Sequence, residues 1–242
     1  MVVSTPARPE AAGSTTDAII ELSDVIRVYR EADVETIALR GIDLEIARGE
    51  FVAIMGRSGS GKSTLLQLLA GSDRPTAGRV IVDGVDLSRA EEDQRAGLRG
   101  AHVGMVFQSQ NLIPFLTLQE NVALASMLAG RSMDRPAAVA TLARVGLEGR
   151  ADHRPAQLSG GEQQRAALAA VLATRPSIVL ADEITGELDS RSADLLLDLL
   201  EEIHIVEAMT LVLATHDPDV ARRADRIVEL RDGRVATDRR LS

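Results

Sequence analysis

Nine residues constrain this chain more than any others: Gly56-Arg57-Ser58-Gly59-Ser60-Gly61-Lys62-Ser63-Thr64. They are preceded by Phe51-Val52-Ala53-Ile54-Met55, an apolar run without alternation that reads as a strand buried on both faces. They are followed by Ser63 to Ala70, leucine-rich and free of breakers, which reads as a helix. The segment fits G-x-x-x-x-G-K-[ST], and this strand–loop–helix setting is the one the pattern needs to carry meaning. Glycines let backbone N–H groups of Gly56, Ser58, Gly59, Ser60 and Gly61 turn inward, since no Cβ blocks a close approach. The helix start at Lys62, Ser63 and Thr64 adds unpaired amides and the positive end of a dipole. Such a loop cradles phosphate groups, with Lys62 as a point charge and the Ser63 hydroxyl offered to a divalent cation. The alternative is a glycine-rich turn with an incidental lysine.

A phosphate cradle of this kind needs a carboxylate at a neighbouring strand end. Ser177-Ile178-Val179-Leu180-Ala181-Asp182-Glu183 supplies one, because four apolar residues make a buried strand that ends on Asp182. Asp182 there binds a cation through water, as in P-loop NTPases. Strand alternation sends the next residue, Glu183, to the opposite side, toward the terminal phosphate, where it polarises a water. Without the cradle the pair would read as two solvated acids at a strand end.

The segment Leu158-Ser159-Gly160-Gly161-Glu162-Gln163 opens a helix predicted over 159–174. Ser159 is a good N-cap, and Glu162 three residues on completes a capping box. Two consecutive glycines nevertheless cost the helix about 1–2 kcal/mol relative to alanines. Close approach of the helix start to a phosphate would offset that cost.

These segments together resemble the ABC ATPases, the nucleotide-binding subunits of ABC transporters. Leu158 to Gln163 is similar to the family signature, and the order P-loop, Gln108, signature, Asp182-Glu183 and His216 matches throughout 19–236. Leu39 to Leu44, Ser72 to Gly78, Val106 to Leu112 and Thr185 to Ser190 resemble the lipoprotein-release and macrolide-export branch. The resemblance implies an ATP-sandwich dimer that binds ATP and Mg²⁺ and hydrolyses ATP. In it, Ser159, Gly160 and Gly161 close the partner's site, and Asp189 lies on the loop that crosses the interface. Gln108 reaches metal or water and acts as a hinge; taken alone it would be a surface glutamine. His216, after the apolar strand Thr210 to Thr215, bonds the terminal phosphate and orients Glu183. Tyr29, the single tyrosine, stacks on adenine, or else it is a strand-edge residue. Two positions depart from the family pattern. Ile184 stands where a proline is usual, and Ala170 where arginine is common.

The expected fold is an α/β P-loop NTPase (RecA-like) core with a mostly parallel sheet. An amino-terminal antiparallel β subdomain is expected from strands at 19–29 and 42–46. An α-helical subdomain inserted at about 109–174 shows helical patterns at 118–128 and 135–145. Further strands are expected at 79–84, 102–107, 210–215 and 226–230, and helices at 190–206 and 218–224. Residues 1–17 read as a disordered tail and 18–242 as the ATPase domain. A net charge of −9 argues against nucleic acid as a partner. The chain has no cysteine, hence no disulfide or thiolate metal site. No apolar run reaches the roughly 20 residues of a membrane span. The membrane part is then expected to be a separate permease, docked near Gln108 to Leu116, with this chain peripheral on the cytoplasmic side. The same residues would also serve a membrane-linked ATPase that passes force to envelope enzymes without a cargo. A DNA-repair ATPase of this family would need a long coiled coil or zinc module between Lys62 and Ser159, and no room exists for one.

Overall fold

The computed structural model describes residues 17–31, 34–109 and 111–241. The stretch expected to be a tail therefore lies outside the described residues, apart from Asp17.

Two sheets share one apolar filling. The first has the order β2-β1-β4-β5 and is antiparallel throughout, with β1 at Ala18–Glu31, β2 at Val34–Ala47, β4 at Ala77–Val82 and β5 at Val85–Asp86. The second has the order β10-β9-β3-β8-β7-β6. Its members are β3 (Phe51–Met55), β6 (Val103–Val106), β7 (Ile178–Asp182), β8 (Thr210–Thr215), β9 (Arg226–Arg231) and β10 (Arg234–Arg240). All of its pairings are parallel except β9 with β10.

The unalternating apolar strands are explained by what covers each face. Val52, Ile54, Ile178, Leu180, Val212 and Ala214 join one core with the antiparallel sheet and helix α1 (Lys62–Leu69). Ala53, Val179, Ala181, Leu211 and Leu213 face the other way. They join a second core with α3 (Leu118–Leu128), α4 (Arg135–Ala143), α5 (Gly160–Ala173) and α6 (Ser190–Glu207). The helical subdomain is thus continuous with the main core. Helix α5 lies against β6 through a line of alanines, and a Cβ on Gly104 would run into the Val171 side chain.

Several boundaries differ from the sequence reading. Strand β2 starts at Val34, not Ile42, because bulges against β1 and the positive φ of Asp24 and Gly41 break the alternation that would reveal it. Helix α2 (Glu92–Ala101) was not anticipated. It buries only Arg95 and Leu98 and carries two glycines, so its few apolar residues form no stripe that announces a helix. Strand β6 covers Val103–Val106 rather than 102–107, so Gln108 lies two residues beyond its end. Helix α7 covers only Pro218–Ala221.

Parallel register sets the site. Met55 pairs with Thr215, and Asp182 with Ala214. The chain therefore leaves β3, β8 and β7 at one edge, at their carboxyl ends, where open α/β sheets bind ligands.

Candidate functional site

The loop after β3 is shaped by contact with its neighbours. Gly61 precedes α1 with φ +106, and a Cβ there would lie 2.8 Å from the Ala38 carbonyl oxygen. Gly56 packs its Cα against the Leu230 carbonyl, 2.6 Å from where a Cβ would stand. The loop is clamped between β2 and β9, and two of the amides expected to turn inward are already engaged: the Gly56 N–H donates to the Thr215 carbonyl at 3.3 Å and the Ser60 N–H to the Arg57 carbonyl at 3.1 Å. Lys62 is only 4% exposed. Its ammonium donates to the Gly56 carbonyl at 2.9 Å and the Arg57 carbonyl at 3.3 Å. Glu183 Oε1 stands 3.1 Å from the same nitrogen.

Glu183 does not follow strand alternation, and here the sequence argument is corrected. Its φ is +48, an uncommon conformation for a residue with a Cβ, and its N–H donates to the Ala214 carbonyl at 3.0 Å. The left-handed turn, not the pleat, aims its carboxylate. One oxygen meets Lys62 and the other lies 3.2 Å from His216 Nδ1. Strain of this sort is held where the surroundings over-determine it. The surroundings include Ile184, which is buried in the core directly below.

Asp182, at the end of β7, has a buried Oδ1 without a hydrogen-bond partner. Burial pushes its carboxyl above the ordinary value; the Ser63 hydroxyl draws it down, Glu183 raises it further, and Lys62 lowers it. Among the described residues no three His, Cys, Asp or Glu side chains cluster closely enough to hold a metal by themselves. A cation beside Asp182 and Ser63 would have to draw further oxygens from a ligand.

Gln108 is exposed, and its amide lies 3.4 Å from Glu187 Oε1. Its backbone is better held than its side chain. Gln164, buried in α5, donates to the carbonyls of Phe107 (3.2 Å) and Gln108, and its oxygen accepts from Asn111 Nδ2 at 3.2 Å. Asn111 in turn accepts from the Phe107 N–H at 2.7 Å. Sequence reading passed over Gln164. A glutamine in the middle of an alanine-rich helix face was the available signal.

Ser159 caps α5 as expected. Its N–H donates to Glu162 Oε2 at 2.9 Å, and the Glu162 N–H donates back to the Ser159 hydroxyl at 3.3 Å. Gly161 abuts Ser192, where a Cβ would sit 3.0 Å from the serine Cβ, and Gly160 faces Leu188. Asp189 caps α6 by accepting the Ser192 N–H at 3.0 Å. The glycine pair and Asp189 therefore share one edge.

This geometry can be set beside known proteins. The family described as ABC transporter matches residues 39–186. The lipoprotein-releasing system ATP-binding protein LolD of Anaeromyxobacter dehalogenans is 47% identical over 222 residues, covering 90% of this chain and 93% of LolD. The chain belongs to the ABC transporter family. The macrolide export ATP-binding/permease protein MacB of Hyphomonas neptunium is 47% identical over 225 residues, 92% of this chain. This cassette spans about a third (35%) of that MacB's length. Among solved structures, the ATP-binding cassette MJ0796, described as a dimer in a post-hydrolysis state bound to ADP and Pi, superposes with a TM-score of 0.86 at 40% identity. That match covers 92% of this chain and 99% of the other. The cbiO1 protein of Clostridium perfringens, part of the cbiONQ complex, gives 0.80 at 30% identity over 92% of this chain and 88% of its own. The activity of the cassette is ATP hydrolysis.

Within the cassette, Tyr29 stands on β1 opposite Thr36, two residues from the Ala38 carbonyl that touches the phosphate loop. Its hydroxyl donates to Asp73 at 2.9 Å. The two departures from the family pattern are absorbed by packing, since Ile184 is buried and Ala170 packs against the core between α5 and β6.

Proposed function

We propose that two copies of this cassette enclose two ATP molecules and hydrolyse them to move a separate membrane permease. The observation that carries the reading is the position of Glu183 between Lys62 and His216, at 3.1 and 3.2 Å, on the edge where Asp182 leaves one oxygen unpaired. A general base must be held within hydrogen-bond reach of the water it activates. His216 fixes one carboxylate oxygen and leaves the other to turn toward such a water once Lys62 takes phosphate oxygens instead. The backbone amides from Ser58 to Thr64 receive the phosphate charge at a helix start.

Mg²⁺ suits Asp182 and Ser63, with Gln108 as a further contact. Mg²⁺ keeps several water and phosphate oxygens and asks for only one or two carboxylates, which matches the unpaired Asp182 oxygen. When bound, the ion neutralises charge on the transferring phosphate. Tyr29 takes the adenine.

The dimer is supported by the shared edge of Ser159, Gly160, Gly161 and Asp189 and by the dimeric form of the MJ0796 cassette. The permease is supported by a cleft of about 820 Å³ lined by Gln108, Leu112, Ile113, Phe115, Pro155 and Leu188. Phe115 is 71% exposed there. No helix among the described residues is long and apolar enough to cross a membrane. In this reading the cassette sits on the cytoplasmic face, held there by the permease. The kinship with LolD and MacB favours export or extraction of lipid-linked cargo.

Glu183→Gln tests the reading. ATP binding should persist while turnover falls about 100-fold or more, and an ATP-bound dimer should accumulate in light scattering. Turnover near that of the parent would refute Glu183 as the base.

A further inference from the structure

Tyr29 is not a free ring on a strand. Arg27, two residues before it on β1, places its guanidinium carbon 4.3 Å from the ring centroid, within cation–π range. The Arg27 Nε donates to Asp73 Oδ2 at 2.7 Å, and the Tyr29 hydroxyl donates to the same oxygen at 2.9 Å. One carboxylate oxygen thus holds both the ring and the cation that covers it. Burial alone would raise the Asp73 carboxyl, but the Arg27 guanidinium, the Arg74 N–H and the Tyr29 hydroxyl together hold it below the ordinary value. Asp73 stays ionised and accepts both bonds.

Asp73 is itself tied to the helix that follows the phosphate loop. Its N–H and that of Ser72 both donate to the Gln67 carbonyl in α1, at 3.2 and 3.0 Å, and α1 begins at Lys62. The brace connects the Tyr29 ring to the far end of the helix whose start receives phosphate. On the other side, Tyr29 pairs with Thr36, two residues or about 7 Å along β2 from the Ala38 carbonyl beside Gly61.

We infer that Asp73 and Arg27 are positioning residues for the base. They occupy one face and the hydroxyl of Tyr29, leave the opposite face for adenine, and hold that face at a fixed distance from the phosphate cradle. This rests on the reading of Tyr29 as the adenine platform. Guanidinium, phenol ring and purine would then form a three-layer stack in which only the purine exchanges.

The chain offers a clean probe, because Tyr29 is its only tyrosine and it has no tryptophan. Tyrosine emission therefore reports this ring alone. The experiment measures binding of ATP and of inorganic tripolyphosphate to the full chain and to Asp73→Asn, Arg27→Gln and Tyr29→Ala. Asp73→Asn and Arg27→Gln should each weaken ATP about 3- to 10-fold, the range of a lost cation–π contact or charged hydrogen bond. Tripolyphosphate, which has no base, should bind all four proteins equally. Emission should change on ATP addition in the parent, and change less in the two brace variants. Arg27→Lys, which keeps a cation over the ring, should recover most of the affinity. A loss in Tyr29→Ala with none in either brace variant would overturn the brace and leave the adenine platform standing. No loss in Tyr29→Ala would remove the platform, and the brace with it. Equal losses for ATP and tripolyphosphate would show that the substitutions disturb the phosphate loop, and would also overturn the inference.

Discussion

Gln164→Ala tests how the helical subdomain is held where the chain enters it. The side chain is 6% exposed and serves the Phe107 and Gln108 carbonyls and the Asn111 amide. Phe107 keeps Asn111 as a second partner after truncation, through Asn111 Nδ2 at 2.6 Å. The Gln108 carbonyl has no such substitute among these contacts. Leaving one partly buried carbonyl unpaired costs about 1–3 kcal/mol. For a domain of this size each kcal/mol moves the melting temperature by about 2–4 °C, so a fall of roughly 2–12 °C is expected. Thermal unfolding followed by circular dichroism gives the shift. Limited proteolysis should locate new cleavage between 107 and 116, while the affinity for ATP changes little, because no phosphate contact is touched. A shift under about 1 °C, well below the range of a lost buried hydrogen bond, would refute the claim that Gln164 anchors this junction. So would cleavage confined to some other segment.

Three further outcomes are expected. A mixed dimer of a Lys62→Ala chain with a Gly161→Asp chain should keep one intact composite site and lose the other, counted by nucleotide occupancy; two intact or two equally damaged sites would contradict the sandwich. Phe115→Ala should leave ATP binding alone but weaken capture of the cognate membrane subunit in nanodiscs and its stimulation of hydrolysis, whereas unchanged capture would move the docking surface elsewhere. Asp83 accepts from Arg48 at 2.7 Å and from the Ser177 hydroxyl at 3.0 Å and lies 2.7 Å from His102 Nδ1. These partners outweigh burial and hold its carboxyl below the ordinary 3.8. A depressed folded-state value contributes stability above the unfolded-state value and loses it as pH falls through the folded one. The melting-temperature gap between the parent and Asp83→Asn should therefore be open at neutral pH and close below about pH 4; a gap that persists in acid would show that shape, not charge, is what Asp83 supplies.

The sequence made some parts of this molecule legible and hid others for physical reasons. Strand β3, helix α1 and helix α5 announce themselves by apolar period, glycine placement and a capping box, and the structure places them within a residue or two of expectation. Lys62 and Asp182 could be singled out by residue type at a fixed offset, and the structure brings both to the same sheet edge. The direction of the Glu183 carboxylate was argued from alternation, whereas a left-handed turn, which alternation cannot show, aims it. Gln164 and Asp73 escaped because their roles depend on partners 56 and 44 residues away. Helix α2 escaped because it is held by charge and by a single buried leucine.

The two connections of the helical subdomain differ in kind. Helix α5 returns to the sheet through interlocked alanines and the Gly104–Val171 contact, inside the same apolar core as β7. Such packing has no intermediate positions, so it transmits displacement as a stiff rod would. The outgoing connection, from Phe107 to Asn111, is fastened by amide groups that can trade one partner for another at little net cost. A push on the cleft around Phe115 would therefore turn the subdomain about α5 and slip the glutamine strap. The cassette then behaves as a lever with its fulcrum welded and its catch reversible, and the catch is the segment that carries Gln108.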